Sequence, residues 1–258
     1  MPEQTIDLGS KYLDATIAQR VLHVRLNRPA KRNAITQDMY RGLKRAALRA
    51  DSDAELDALC LTGTGDVFAV GGDMSGESEH PEELAQELDP TDHFPFRHFE
   101  QCRKVVVAAI NGVCHAGGLN LVLFSDLSIA SERATFRVPE LLRGAPDPWI
   151  AARLAEYVGL GKAKFLLFTG AVIDAREAVA LGLVGQVVPH AELESRLQWV
   201  LEQIRLTAPH GRAMVKDDIN RRLPQADVNM FRRAIMSPEM AEGFQAFFEK
   251  RAPQWPRG

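Results

Sequence analysis

Val105-Val106-Val107-Ala108-Ala109-Ile110, continuing as Asn111-Gly112-Val113-Cys114-His115-Ala116-Gly117-Gly118-Leu119-Asn120, is the stretch that decides how this chain folds. Its first six residues are apolar, and the run is strand-sized, so it reads as a buried strand. Asn111-Gly112 turns the chain. Gly117-Gly118 then opens a helix through Leu123. Strand, glycine turn, helix is an α/β pattern, and the rest of the chain repeats it.

Upstream, Tyr12–Ile17 and Val21–Leu26 have alternating or β-branched character, and Ala18-Gln19-Arg20 between them predicts a hairpin. The loop from Asn27 to Ala34 is polar and punctuated by Pro29. Thr36 caps a helix predicted over Gln37–Arg49, with Met39, Leu43, Ala46 and Ala47 on its apolar face. Leu56–Thr62 reads as a buried strand. After the turn Gly63-Thr64-Gly65-Asp66, Phe68–Asp73 is a short apolar segment ending in Gly71-Gly72-Asp73. Ser75–Asp92 is acidic and poor in apolar residues, which predicts a mobile surface loop with a weak helix and a solvated face.

Downstream the pattern predicts helices at Phe94–Arg103, Trp149–Val158, Lys162–Phe168 and Ala175–Leu181, with strands at Leu127–Ala130 and Leu183–Val188. From His190 onward it is helical throughout, in three or four segments. No repeat of fixed period is visible. The predicted organisation is an α/β core over residues 1–190 and a helical region over 191–258.

Composition narrows the partners. Lysine plus arginine is 31 against 34 acids, so no basic excess exists to release counterions from a nucleic acid. No apolar run approaches the length of a bilayer span, and the polar start is unlike a signal peptide. Cys60, Cys102 and Cys114 are odd in number and lack metal spacing, which predicts reduced, buried thiols in a cytoplasmic protein. His93 and His98 are five apart, which does not align them on one helical face, so no metal is expected.

Three segments carry candidate chemistry: Phe68 to Asp73, Ile110 to Asn120, and Ala134-Thr135-Phe136-Arg137-Val138-Pro139-Glu140-Leu141 running on to Gly144. In each of the first two, glycines follow an apolar strand, where a backbone N–H approaches a ligand with no Cβ in the way. A helix start also presents unpaired N–H groups and a positive dipole end. One donor from each segment suffices for an oxyanion hole. Either glycine pair alone reads as a tight turn.

In this order and spacing, with Glu140 following, the chain resembles the crotonase (enoyl-CoA hydratase/isomerase) superfamily along almost its whole length. Leu26-Asn27-Arg28-Pro29 and Asn33-Ala34 resemble the family's early CoA-contacting loop, and Val70-Gly71-Gly72-Asp73 its first oxyanion segment. Glu242-Gly243-Phe244, Ala246-Phe247 and Glu249-Lys250-Arg251 resemble its C-terminal signature. The resemblance implies a spiral of ββα turns with a C-terminal helical region mediating trimers, which pair into hexamers. It implies amide donors at Gly72 and Gly117, and CoA contacts at Arg28, Lys31, Ala34, Val70, Gly71, Asp73, Met74, Phe231 and Lys250. CoA would enter as part of an acyl-CoA thioester substrate, with no separate cofactor.

The family's hydratases use one glutamate in the second segment and another in the third. Here the second-segment position is Asn120, which holds a water but takes no proton. Glu140 alone remains, and one carboxylate suffices to carry a proton between two carbons and shift a double bond. Isomerisation is therefore the expected reaction. Ala145-Pro146-Asp147-Pro148-Trp149 is similar to an Ala-Pro-x-Trp run in some isomerases. Asp147 resembles the aspartate of dienoyl-CoA isomerases if one deletion is assumed, and otherwise reads as a turn residue. His115, two residues before Gly117, is a further acid–base candidate. It motivates an alternative reading, a C–C bond hydrolase or decarboxylase on the same fold. Asn120 motivates another, a weakly catalytic acyl-CoA binding protein.

Overall fold

The computed structural model of the protein describes residues 3–235 and 237–256. The chain enters as β1 (Gln4–Thr5), β2 (Leu13–Ala18) and β3 (Val21–Leu26). Gln19 and Arg20 both take positive φ, which matches the twist of the β2–β3 hairpin. Helix α1 (Gln37–Ser52) begins where expected, with the Thr36 hydroxyl accepting from the Met39 amide. It runs three residues past the predicted end.

Thereafter each apolar strand is followed by a very short partner. β4 (Ala58–Gly63) leads to β5 (Val67–Ala69); after α2 (Pro81–Ala85) and α3 (Phe96–Gln101), β6 (Val105–Ile110) leads to β7 (Val113–His115). After α4 (Gly117–Leu123), β8 (Leu127–Ser131) leads to β9 (Thr135–Arg137). The first strands of each pair lie parallel in one sheet, β4 on β6 on β8. The second strands lie parallel in another, β5 on β7 on β9. This is a spiral of strand–strand–helix turns. Among the described residues the two sheets hold seven and four strands.

Helices α5 (Pro148–Val158) and α6 (Leu160–Thr169) follow, then β10 (Val172–Asp174), α7 (Ala175–Ala180) and β11 (Gln186–Val188). β10 pairs antiparallel with β9, and β11 parallel with β8. The chain ends in α8 (Leu193–Leu206), α9 (Pro209–Asn220), α10 (Val228–Ile235) and α11 (Pro238–Glu249). α8 is packed into the body: Leu197, Val200, Leu201 and Ile204 bury against Val21, Cys60, Val107, Ala109 and Ile129 of the large sheet. All three cysteines are free and buried. No helix among the described residues is long and apolar enough to cross a membrane.

Two buried asparagines tie the turns together. Asn111 Oδ1 accepts from Gly63 N at 3.0 Å, and its Nδ2 donates to Gly65 O at 2.6 Å. Asn33 Nδ2 donates to Val67 O at 2.7 Å, while its Oδ1 accepts from Arg28 N at 2.9 Å. Together they lock the β4–β5 corner to both its neighbours.

The acidic stretch departs from expectation. Ser75–Asp92 lies at the surface and carries the expected short helix, α2, but most of its acids are paired with neighbouring elements and not simply solvated. Glu77 reaches Tyr12 and Arg28, Glu79 accepts from Ser10, and Glu83 meets Arg45. Glu87 meets Arg41 and His93, and Asp89 meets Arg232 of α10. Composition cannot show which cations face an acid run. Asp38, fully buried on α1, anchors the arrangement: it pairs with Arg41 and accepts the Glu79 amide at 2.6 Å. Burial alone would raise its pKa; the Glu79 amide, Arg41 and Ser78 more than offset this and hold it below the usual range.

Removing one partner of a buried ion pair leaves the other uncompensated, at about 3–5 kcal/mol. Asp38→Ala should therefore lower the unfolding free energy by about 3 kcal/mol. It should also expose 75–92 to limited proteolysis; denaturant midpoints and cleavage mapping check both.

Candidate active site

The small parallel sheet places the three chemical segments at one edge. Parallel strands end on the same side, and β5, β7 and β9 run on into Gly71-Gly72, Ala116-Gly117 and Pro139-Glu140 respectively. The first two of these loops abut. A Cβ built on Gly71 would stand 2.6 Å from the Ala116 Cβ, and one built on Gly118 would stand 2.6 Å from Ala69 O. Gly71 also has φ +118, so no other residue fits here without strain. Ala116 itself sits at φ 54, ψ −130, a strained conformation held by its amide donating to Arg137 O at 3.0 Å.

The orientation of Gly72 follows from its neighbour. Ile35 bridges the segment by donating to Gly71 O at 2.9 Å and accepting from Asp73 N at 2.8 Å. Alternate peptide groups in extended chain point opposite ways, so the Gly72 N–H faces away from Ile35. Its nitrogen stands 3.4 Å from the position a Gly117 Cβ would take. Among the described residues neither the Gly72 nor the Gly117 amide has a protein acceptor.

Two carboxyls come close enough to act on Tyr40, whose hydroxyl adjoins Gly117. Asp147 Oδ1 caps α5, accepting from Trp149 N and Ile150 N at 2.9 Å each. Its Oδ2 accepts from Asn120 Nδ2 at 2.6 Å. Burial pushes the Asp147 pKa upward, against these three hydrogen bonds. Glu140 opens a 3-10 turn over Glu140–Arg143. Its Oε2 is enclosed and, like Asn120 Oδ1, has no protein partner. Burial first, and then the charge of Asp147, raise the Glu140 carboxyl to about 8. Native buried polar atoms are seldom left unpaired, so these two oxygens are candidates for contact with a bound molecule.

The other sequence candidates divide. Arg28, Ala34, Val70, Gly71, Asp73 and Met74 lie together through the Ile35 bridge, with Lys31 ending a 3-10 turn on the adjoining loop. The Arg28 guanidinium is buried and committed to Asp73 and Glu77, so it holds the loop rather than offering a free charge. Phe231 packs on Phe94 and Trp149 at ring distances of 5.8 and 5.4 Å. Lys250 caps α11 in a left-handed conformation. His115 Nε2 meets Thr135 Oγ1 at 3.1 Å. Burial and then Arg137, Arg32 and Arg143 lower its pKa to about 4, so it is neutral at working pH. Among the described residues no hydrogen bond joins His115 to Glu140 or Asp147, and Arg137 and Arg143 act on both His115 and Glu140. Tyr40 was not picked out by sequence reasoning. The available signal was a phenol directly after Met39 of the α1 stripe, needing a partner for its hydroxyl.

A family model for enoyl-CoA hydratase/isomerase matches residues 16–258. The chain belongs to that family, within the crotonase superfamily. Among its relatives, a probable enoyl-CoA hydratase of Mycobacterium leprae is 33% identical over 251 residues, covering 92% of this chain and 95% of the relative. The short-chain-enoyl-CoA hydratase of Clostridium acetobutylicum is 32% identical over 242 residues, covering 90% and 92%. The crystal structure of an enoyl-CoA hydratase/isomerase from Pseudoalteromonas atlantica superposes with a TM-score of 0.84 at 29% identity, covering 95% of this chain and 100% of that one. A family acyl-CoA enzyme with the crotonase α/β fold is thus established; the names of these relatives lean toward hydration.

The raised Glu140 pKa makes a stability prediction. Between about 4.5 and about 8 the folded chain holds a proton that the unfolded chain has lost, so this group's contribution to stability falls as pH rises through that window. Glu140→Gln should melt above the parent at pH 9, with the gap shrinking to nothing by pH 4. Paired melting curves across pH check it.

Proposed function

We propose that the protein shifts a carbon–carbon double bond in an acyl-CoA thioester, with Glu140 carrying the proton. The observation that carries this reading is the Glu140 carboxyl: one oxygen enclosed and unpaired, a pKa of about 8, and a second carboxyl beside it that is fully engaged elsewhere. Glu140 takes a proton from the carbon on one side of the double bond. The electron pair of the broken C–H bond moves through the conjugated system onto the thioester oxygen. The Gly72 and Gly117 amides donate to that oxygen, and a dry, preorganised pair of donors is worth far more there than in water. Glu140 then returns the proton to the distal carbon. A base with pKa near neutrality suits both halves of this cycle.

Asp147 serves in this reading as a fixed charge. Its three hydrogen bonds hold it at the head of α5 and favour its charged form against burial, and that charge raises Glu140. CoA would lie along the paired loops 28–34 and 70–74, with no separate cofactor. A trimer or hexamer belongs to the same proposal, supported by Trp199 of α8 and Met214, Val215 and Ile219 of α9, all exposed on the single chain.

Hydration is the second reading. It is favoured by the relatives' names and by the free Oδ1 of Asn120, which is placed to accept from a water. Purified protein given 3-enoyl-CoA and 2-enoyl-CoA of matched length separates the two. Isomerisation should exceed water addition, and Glu140→Gln should cut it by about 10³-fold. Asn120→Glu should raise hydration at the expense of isomerisation. Faster water addition than isomerisation in the parent enzyme overturns the first reading.

A further inference from the structure

Tyr40 is buried on α1 and its hydroxyl has no protein partner among the described residues. Its ring is immobilised: Phe94 and Phe96 meet it edge-on at 5.0 and 6.1 Å, and His93 at 6.0 Å. The hydroxyl is therefore aimed, not wandering. A Cβ built on Gly117 would land on it, and one built on Gly72 would stand 3.8 Å from it. The same Gly117 Cβ position is 3.4 Å from the Gly72 nitrogen. One small volume is thus bounded by the Gly72 amide, Gly117 and the Tyr40 hydroxyl.

We propose that Tyr40 is a third hydrogen-bond donor to the thioester oxygen, acting beside the Gly72 and Gly117 amides. The assignment rests on the acyl-CoA reading above. Tyr40 donates and does not exchange its proton: burial, then the charges of Asp147 and Glu140, all oppose its ionisation. When Glu140 removes a proton and the freed electron pair reaches the oxygen, the phenol O–H stays intact and its hydrogen bond tightens. The same geometry explains why residue 117 carries no side chain: a methyl group there would occupy the hydroxyl's place. Without that hydroxyl the nearest atoms to such a methyl would be 3.4 and 3.5 Å away.

Tyr40→Phe keeps the ring and its packing. It should lower kcat by about 10²-fold, the usual effect of losing one oxyanion donor, and raise KM by no more than about tenfold. Binding separates this role from a packing role. The parent should prefer an acyl-CoA thioester to the matching alkyl-CoA thioether, which lacks the oxygen. Tyr40→Phe should lose about tenfold of that preference, with thioether affinity unchanged. Gly117→Ala should bind thioester poorly, and Gly117→Ala combined with Tyr40→Phe should bind it better than Gly117→Ala alone. Unchanged kcat and an unchanged thioester preference in Tyr40→Phe overturn the Tyr40 assignment while leaving the proposed function intact. A parent protein that neither binds nor turns over acyl-CoA overturns the function and this assignment with it.

Discussion

The close approach of two backbones, Gly71-Gly72 against Ala116-Gly117, is the constraint on which the rest depends. Main chain, the methyl groups of Ala69 and Ala116 and the Tyr40 hydroxyl fill the space around them, and Gly71, Gly117 and Gly118 leave no room for more. The fold carries a cost in the strained Ala116, while Gly71 takes its positive φ as only glycine can without strain. It holds that strain with the Ile35 bridge on one side and the β7–β9 pairing on the other. Strain over-determined in this way is typical of positions where a ligand must meet fixed dipoles.

Around that contact the electrostatics run against folding stability. A carboxyl raised to about 8, a second carboxyl buried at a helix start, and unpaired oxygens on Asn120 and Glu140 all add to the folded state's free energy. An apolar core of the same size would be more stable and chemically inert. The surrounding structure supplies what is needed. Rings of Phe94, Phe96, Phe124 and Trp149 pack with centroids 4.6–5.4 Å apart beside the site, forming a stiff wall.

The ionic stitching of 75–92 serves the same end. Arg28, buried against Asp73 and Glu77, joins the loop before α1 to the segment that carries Gly72. Asp38 and Arg41 extend that network, and Glu87 fixes His93 against Tyr40. Positioning of the Gly72 segment and of the Tyr40 ring thus shares one set of charges.

Local pattern made much of this legible before any coordinates. The hairpin, the Thr36 cap, α1, β4, β6 and the helices beyond β9 follow from periodicity and capping, which act within a few residues. The strands β5, β7, β9 and β10 were not legible, because three residues carry no period and exist only through their neighbours' pairing. The spiral was hidden for a related reason: its strands start at Ala58, Val105 and Leu127, separated by insertions of unequal length. Gly72, Gly117 and Glu140 were candidates from the family resemblance of their motifs in order, since either glycine pair alone reads as a tight turn. That Asn120 grips Asp147, that Arg28 is spent on Asp73 and Glu77, that His115 sits among arginines and that Tyr40 meets the glycines are facts about residues distant in the chain. Only the tertiary structure decided them, because burial and charge act through space, and the chain order does not record which groups space brings together.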